Sequence, residues 1–185
     1  MGAADPGAAG PQGRCLTATG APGAVDVVQR IEASLATGGF KMTRDSVAGR
    51  QAVIGRQSTF RLRWVATRLH VFVLVAVFKS DATPEHLDRF LEEASQYAIT
   101  LKGRLRGLQS GTCAVAVAVV DSAERAGEWA VKPHGRRFAA MTYPVLVDLA
   151  NKRVVRPERM LIGAVYVPYL RQLVKAHVES SLQLV

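Results

Sequence analysis

Cationic side chains are the residues of this sequence whose types and spacing best suit a binding chemistry. Arg61 and Arg63 alternate with apolar neighbours, and Arg104 and Arg106 stand in a glycine-bearing segment. A guanidinium group binds a phosphate or carboxylate through two parallel hydrogen bonds, so arginines that converge form an anion-binding face. If they scatter, they only keep the protein soluble. The candidate binding residues are Arg56, Arg61, Arg63, Arg68, His70, Arg104 and Arg106.

Aromatic residues are expected to point away from these cations. Phe60, Leu62 and Trp64 alternate with Arg61 and Arg63, and a period of two places the two sets on opposite faces of a strand. Proteins that bind single-stranded nucleic acid stack bases on aromatic side chains beside a cationic groove. The pattern therefore counts against a stacking platform.

Catalytic and metal chemistry have little support in the sequence. A hydrolase or transferase built from His70, Cys113 and a carboxylate is one hypothesis, but a small buried residue near the start of a strand is the favoured interpretation of Cys113. His70, His86, His134 and His177 lack metal-ligand spacing, and the common hydrolase, P-loop and dinucleotide-binding motifs are absent. We therefore predict no catalytic residues, no metal and no cofactor.

The net charge of +9 and the isoelectric point near 10.2 narrow the class of partner. A basic surface suits nucleic acid, an anionic membrane or an acidic protein. The apolar window 65–78 is shorter than the roughly 18 residues that cross a bilayer, so no membrane span is expected. Cys15 and Cys113 are not expected to pair. Residues 1–20 lack the pattern of a secretory leader, which predicts a cytoplasmic protein.

Helical periodicity predicts three long helices. The first covers 24–37. The second begins at Thr83-Pro84, where a capping hydroxyl precedes a proline at the first helical position, and it ends at Lys102. The last begins at Pro168, and a short helix is predicted within 123–131.

Runs of strand-forming residues fill the remaining chain. The run 69–78 is apolar on both faces, which is typical of a central strand, and the alanine face of 112–120 leaves room for a helix. The predicted strands are 51–56, 60–64, 69–78, 112–120, 138–141, 144–149 and 154–155, with 40–44 either a strand or an extended connection. The order α-β-β-β-α-β-β-β-α predicts an α+β domain over 24–185, with a mostly antiparallel sheet and helices packed against it. A disordered Gly/Ala/Pro-rich tail is expected over 1–23.

Three sequence segments and one helix carry a resemblance to a known family. They are FRLRWVATRLHVFV, the proline-started helix that follows it, PVLVDLANKRVV and GAVYVPYLRQLV. Over about 24–182 the sequence resembles a family of short, uncharacterised actinobacterial proteins, some of which are labelled levansucrase. A glycosidase mechanism needs two carboxylates facing one sugar, and no pair of acids in the sequence suggests that arrangement. The order of elements also resembles the type III secretion chaperone-like fold, which implies a small non-enzymatic binder, often dimeric.

The leading functional prediction is a non-enzymatic, chaperone-like interaction module that binds an acidic protein partner or segment. The alternative is a nucleic-acid-binding protein that uses the arginines, and its affinity would fall steeply with salt concentration. A homodimer and the identity of the partner stay open at this point.

Overall fold

The computed structural model describes residues 23–60, 64, 68–79, 82–102, 110–124, 126–131, 140–158, 160 and 163–183. These residues form a six-stranded mixed sheet with helices on both faces. The helices are α1 (Ala24–Thr37), α2 (Pro84–Lys102), α3 (Gly127–Val131), α4 (Val167–Val174) and α5 (Ser180–Gln183). The strands, which neighbour one another in chain order, are β1 (Lys41–Val47), β2 (Arg50–Phe60), β3 (Arg68–Phe78), β4 (Ser110–Val120), β5 (Met141–Asp148) and β6 (Arg153–Val155).

Two antiparallel pairings build the first half of the sheet. β1 and β2 are joined by a two-residue turn, Ala48-Gly49, whose φ angles of 54° and 73° match the twist of the flanking strands. The carboxylate of Glu93 on α2 accepts a hydrogen bond from the Ala48 amide at 2.5 Å, so α2 holds this turn in place. β2 then pairs with β3 as far as Phe60, which lies opposite Arg68.

The centre of the sheet is parallel. β3 pairs with β4 and β4 with β5, and α2 and α3 form the two crossovers that parallel neighbours require. β5 then turns back into the short antiparallel strand β6. The predicted α+β class is confirmed, and three of the five strand pairings are antiparallel. The order predicted from sequence did not reveal the parallel centre, because strand pairing depends on contacts far apart in the chain.

Side-chain size distinguishes the two faces of the sheet. On β4 the valines contact the core shared with α1 and the C-terminal helices, whereas the alanines contact the core under α2 and α3. We call these the α1 face and the α2 face. The valines are Val115, Val117 and Val119, and the alanines are Ala114, Ala116 and Ala118. The short alanine side chains accommodate α2, as the sequence predicted.

One predicted strand is wrong in part. The alternation of 60–64 placed Phe60 and Trp64 on a common face. In the structure β2 ends at Phe60, whose side chain is 52% exposed, whereas Trp64 is 1% exposed and packs edge-on against Tyr166 and Tyr169. Alternation fails here because the strand does not extend to Trp64.

The predicted helices agree well with the structure. α1 and α2 have the predicted bounds, and Pro168 lies in the first turn of α4. The last helix contains a π-helical turn, Lys175–Glu179, between α4 and α5, for which the sequence has no local signal. Residues 1–22 of the tail predicted over 1–23, the segment 103–109 and the predicted strand start at 138–139 lie outside the described residues.

Candidate anion-binding site

Three of the predicted binding residues share one face of the sheet. Arg56 lies on β2, and Arg68 and His70 lie on β3, in an antiparallel register that sets Phe60 opposite Arg68 and Phe72 opposite Arg56. Residues directly opposite each other project to the same face, and Phe72 belongs to the core under α2. All of these side chains therefore lie on the α2 face. We call Arg56, Phe60, Arg68 and His70 the basic sheet end.

Burial decreases along the α2 face towards the basic sheet end. Phe72 is buried, His70 two residues before it on β3 is half-buried, and Arg68 at the start of the strand is exposed. Arg56 and Phe60 are also exposed. Arg56 and Arg68 occupy diagonal corners of this patch. Arg56 lies on β2, four residues before Phe60, and Phe60 lies opposite Arg68 on the neighbouring strand. Strand geometry therefore separates their Cα atoms by about 14 Å.

Arg56 and Arg68 differ from the other described arginines because no part of the described chain partners them. Arg44, Arg89, Arg153 and Arg156 pair with carboxylates, Arg50 lies over the ring of Phe78, Arg171 donates to the Glu158 carbonyl, and Arg30 also has a partner. An exposed guanidinium group with no internal partner keeps all of its donors available for an external anion.

A buried hydroxyl borders this patch. Thr112 on β4 is the register partner of His70, lies on the same face, and is 3% exposed. Its Oγ1 has no hydrogen-bond partner in the described part of the chain. Because buried hydroxyl groups are usually hydrogen-bonded, Thr112 adds an unused donor and acceptor beside the basic sheet end.

Sequence reasoning missed two members of this surface. Lys41 on β1 is exposed and lies directly opposite Arg56, so it extends the row of cations. Phe60 was expected to point away from Arg61 and Arg63, which the structure does not describe, and it shares a face with Arg56 and Arg68. Both placements follow from the β1-β2-β3 register, which alternation within a single strand does not reveal. Arg61, Arg63, Arg104 and Arg106 lie outside the described residues, and their role stays a prediction.

The hypothesis of a nucleophile at Cys113 is wrong. Cys113 and His70 lie on neighbouring strands, but the register pairs His70 with Thr112, so the thiol and the imidazole project to opposite faces. Cys113 is completely buried in the α1-face core, and burial raises the pKa of its thiol to about 12. A thiol that is neutral at physiological pH and shielded by apolar neighbours is a poor nucleophile.

Several described carboxylates have structural roles. Asp148 is buried and accepts hydrogen bonds from Asn151 and Arg153, which closes the turn between β5 and β6. Burial alone would raise the pKa of Asp148, but these hydrogen bonds outweigh it and hold the pKa below its ordinary value. Asp88 on α2 accepts a hydrogen bond from the indole of Trp129 at 2.8 Å. Within the described ranges, no group of three or more His, Cys, Asp or Glu side chains could hold a metal ion.

A small cavity lies on the α1 face. The half-open cavity of about 200 Å³ is bounded by Gly38, Gln57, Tyr169 and the π-helical turn that carries His177. His177 Nδ1 lies 3.0 Å from Ser34 Oγ, and its ring meets Phe40 edge-on. Burial lowers the pKa of His177, and a hydrogen bond to the backbone of Ser34 partly offsets the effect. A neutral imidazole in a small cavity agrees with the predicted packed histidine.

Three comparisons with known proteins found no matching family model, no matching curated protein and no matching solved structure. In the part of the chain that the structure describes, no helix is both long enough and apolar enough to cross a membrane.

Proposed function

We propose that this protein is a non-enzymatic interaction module whose basic sheet end binds an acidic segment of a protein partner. The observation that carries the proposal is a contrast among the described arginines. Seven of them have a partner, whereas no described residue partners Arg56 or Arg68. These two lie on one face of the sheet, and both side chains are exposed. The resemblance to chaperone-like folds noted from the sequence is consistent with a binding role.

The geometry fits an extended acidic segment. Successive side chains on one side of an extended chain are about 7 Å apart, so acidic residues at positions i and i+4 span about 14 Å. This span matches the diagonal between Arg56 and Arg68. The exposed ring of Phe60 sits directly opposite Arg68 and offers apolar contact to a residue near the segment's second acid. We therefore expect the preferred ligand to carry two acids spaced in this way and an apolar neighbour.

The test is a binding assay with fluorescently labelled peptides, read by anisotropy. The probe is an extended peptide with Glu at i and i+4, and its matched control has Gln at both positions. The double variant Arg56→Glu/Arg68→Glu should weaken binding of the Glu peptide by at least about tenfold, since both cations become repulsive. The double variant Lys152→Glu/Lys175→Glu has the same net charge. It changes exposed lysines of the β5–β6 turn and the π-helical turn, outside the basic sheet end, so it should bind almost normally. Equal losses in the two double variants would contradict the proposal.

Single-stranded nucleic acid is the second candidate, because the exposed ring of Phe60 shares a face with Arg56 and Arg68. Aromatic stacking beside arginines is how many proteins hold single strands. Labelled single-stranded DNA and RNA in the same assay separate the two candidates. Nucleic-acid binding requires an affinity that falls steeply with salt and a loss of about tenfold in Phe60→Ala. Tight binding of the Glu peptide together with absent nucleic-acid binding favours the protein partner.

A further inference from the structure

β1 is an edge strand whose outer side no described strand pairs with. It comes first in the sheet order, contacts only β2 within the sheet, and five of its seven residues are exposed. An exposed edge presents a row of backbone donors and acceptors that another strand can use. The side chains along this edge decide which strand fits.

The faces of β1 are fixed by its pairing with β2. Lys41, Thr43 and Asp45 share the α2 face, since Thr43 lies opposite Ile54, which belongs to the core under α2. Met42 and Arg44 share the α1 face, where Arg44 pairs with Glu32 of α1. A second copy that continues the sheet through β1 must be antiparallel about a two-fold axis perpendicular to the sheet. Residues opposite each other must then lie on the same face of the sheet. Because side chains alternate between the faces, this is possible only when one residue of β1 lies opposite its own copy.

Only one central register joins opposite charges. When Thr43 lies opposite its own copy, Lys41 of each chain lies opposite Asp45 of the other, and Met42 opposite Arg44. Centring on Arg44 or on Asp45 places like charges directly opposite each other, which is destabilising in a cross-strand pair. Centring on Met42 leaves Lys41 and Asp45 without a charged partner in the other strand. The register centred on Thr43 is thus self-complementary.

The surroundings of Lys41 strengthen this choice. Lys41 lies directly opposite Arg56 of its own chain, a like-charge pair that an anion on the other side of Lys41 would relieve. No described acid pairs with Lys41, and Asp45 is exposed. In the register centred on Thr43, the carboxylate of Asp45 from the second copy lies on the outer side of Lys41, away from Arg56.

We propose that the chain forms a homodimer through antiparallel pairing of β1 with β1 of a second copy, centred on Thr43, with two symmetric Lys41–Asp45 ion pairs. The two sheets become one twelve-stranded sheet. Because the axis is perpendicular to the sheet, both basic sheet ends lie on the same side of the dimer. One bivalent acidic partner could then contact both.

A charge-swap experiment tests the pairing, read by sedimentation velocity at protein concentrations from about 1 μM to about 1 mM. Lys41→Asp and Asp45→Lys should each raise the dimer dissociation constant at least about tenfold, because each change converts two attractive pairs into two repulsive ones. The double variant Lys41→Asp/Asp45→Lys should restore wild-type association. Lys152→Asp, the same charge change at the turn near the other sheet edge, should have no effect. A monomeric wild type, or a dimer insensitive to both single variants, would overturn the proposal.

A cross-linking measurement keeps the test decisive if a charge variant folds poorly. In a Cys15→Ser background, Thr43→Cys places two thiols at the axis, where Cβ atoms of opposite residues are about 5 Å apart and a disulfide can form. Mild oxidation should then give a covalent dimer. Ser46→Cys is the control, because in this register the two copies of residue 46 are about 20 Å apart. Equal cross-linking of both variants, or of neither, would refute the register. Neither measurement depends on peptide binding, so this proposal and the proposed function can fail separately.

Discussion

Replacing Gly38 with alanine should destabilise the protein through one defined clash. A Cβ atom at position 38 would lie 2.5 Å from Cε1 and 3.0 Å from Nε2 of His177. Ordinary contact begins near 3.4 Å, so the imidazole must retreat by about 0.9 Å. Gly38 has a φ of −73°, which alanine adopts without strain, so the effect arises from contacts. The contact with His177 dominates, and the Leu35 carbonyl oxygen at 3.3 Å adds a smaller share.

The size of the effect follows from what His177 loses when it moves. The ring would lose the 3.0 Å hydrogen bond to Ser34 and its edge-on contact with Phe40. A typical hydrogen bond contributes about 1 kcal/mol and overpacking costs about 1–3 kcal/mol. Because a side chain yields more easily than the backbone, we expect Gly38→Ala to lower the free energy of unfolding by about 1–2 kcal/mol. Urea unfolding followed by circular dichroism measures this difference.

A double-mutant cycle isolates the cause. In a His177→Ala background the clash is absent, so Gly38→Ala should cost no more than about 0.5 kcal/mol. Gly127→Ala is the matched glycine control: its Cβ would meet only Ala123, at 4.0 Å, and should not destabilise the protein. An equal loss of stability for Gly38→Ala in both backgrounds would refute the reasoning.

The same variant should change the pH dependence of stability. The pKa of His177 is lowered in the folded state, mainly by burial, so the unfolded chain binds the proton more tightly. Stability contributed by the neutral ring is therefore complete above the unfolded pKa of about 6.5 and is lost as the pH falls through and below that value. If Gly38→Ala pushes the ring towards solvent, this dependence should become shallower. Urea titrations at a series of pH values between about 5 and 8 measure the slope.

Three further predictions concern separate parts of the fold. In a Cys15→Ser background, Cys113 should react with a thiol reagent far more slowly than in urea, because it is buried and its pKa is raised to about 12; fast labelling of the native protein would contradict the α1-face core. Asp148→Asn should cost about 1–3 kcal/mol in thermal or urea unfolding, since the bond to Arg153 weakens. The lowered pKa of Asp148 predicts stability that is complete above about pH 4 and lost as the pH falls through the folded value, and this loss should disappear in the variant. Ala48→Asn should stabilise the protein by about 0.5 kcal/mol, because asparagine tolerates a φ of 54° in a hairpin turn; a lower melting temperature would count against the turn geometry.

Local signals explain which elements could be predicted. The bounds of α1 and α2 follow from glycines, a proline and a capping hydroxyl within one turn of each boundary, and the structure reproduces those bounds. The apolar runs of β3 and β4 identify buried strands, whose existence depends only on composition. The parallel pairing of these strands could not be predicted, since it depends on how α2 crosses over the sheet before β4 begins.

The candidate site shows the same limit. Arg56, Arg68 and His70 were in the predicted set, but the pairing of β2 with β3 decides that they share a face. The same kind of register separates His70 from Cys113, which sequence spacing had allowed as a pair. The exposure of Phe60 depends on what packs over the end of β2, which no pattern within β2 encodes.

The alternation of valine and alanine on β4 fixes the register of the strand through the different side-chain volumes on its two faces. β4 is buried on both faces, so polarity cannot oppose a one-residue slip as it does in a strand with one wet face. A slip would press three valines against α2 and leave three alanines facing the α1 side. Overpacking and lost methyl groups each cost about 1–3 kcal/mol per site, so the misregistered sheet would be heavily penalised. A strand with no polar side chain between Cys113 and Val120 thus retains a unique alignment through the shape of its two surfaces.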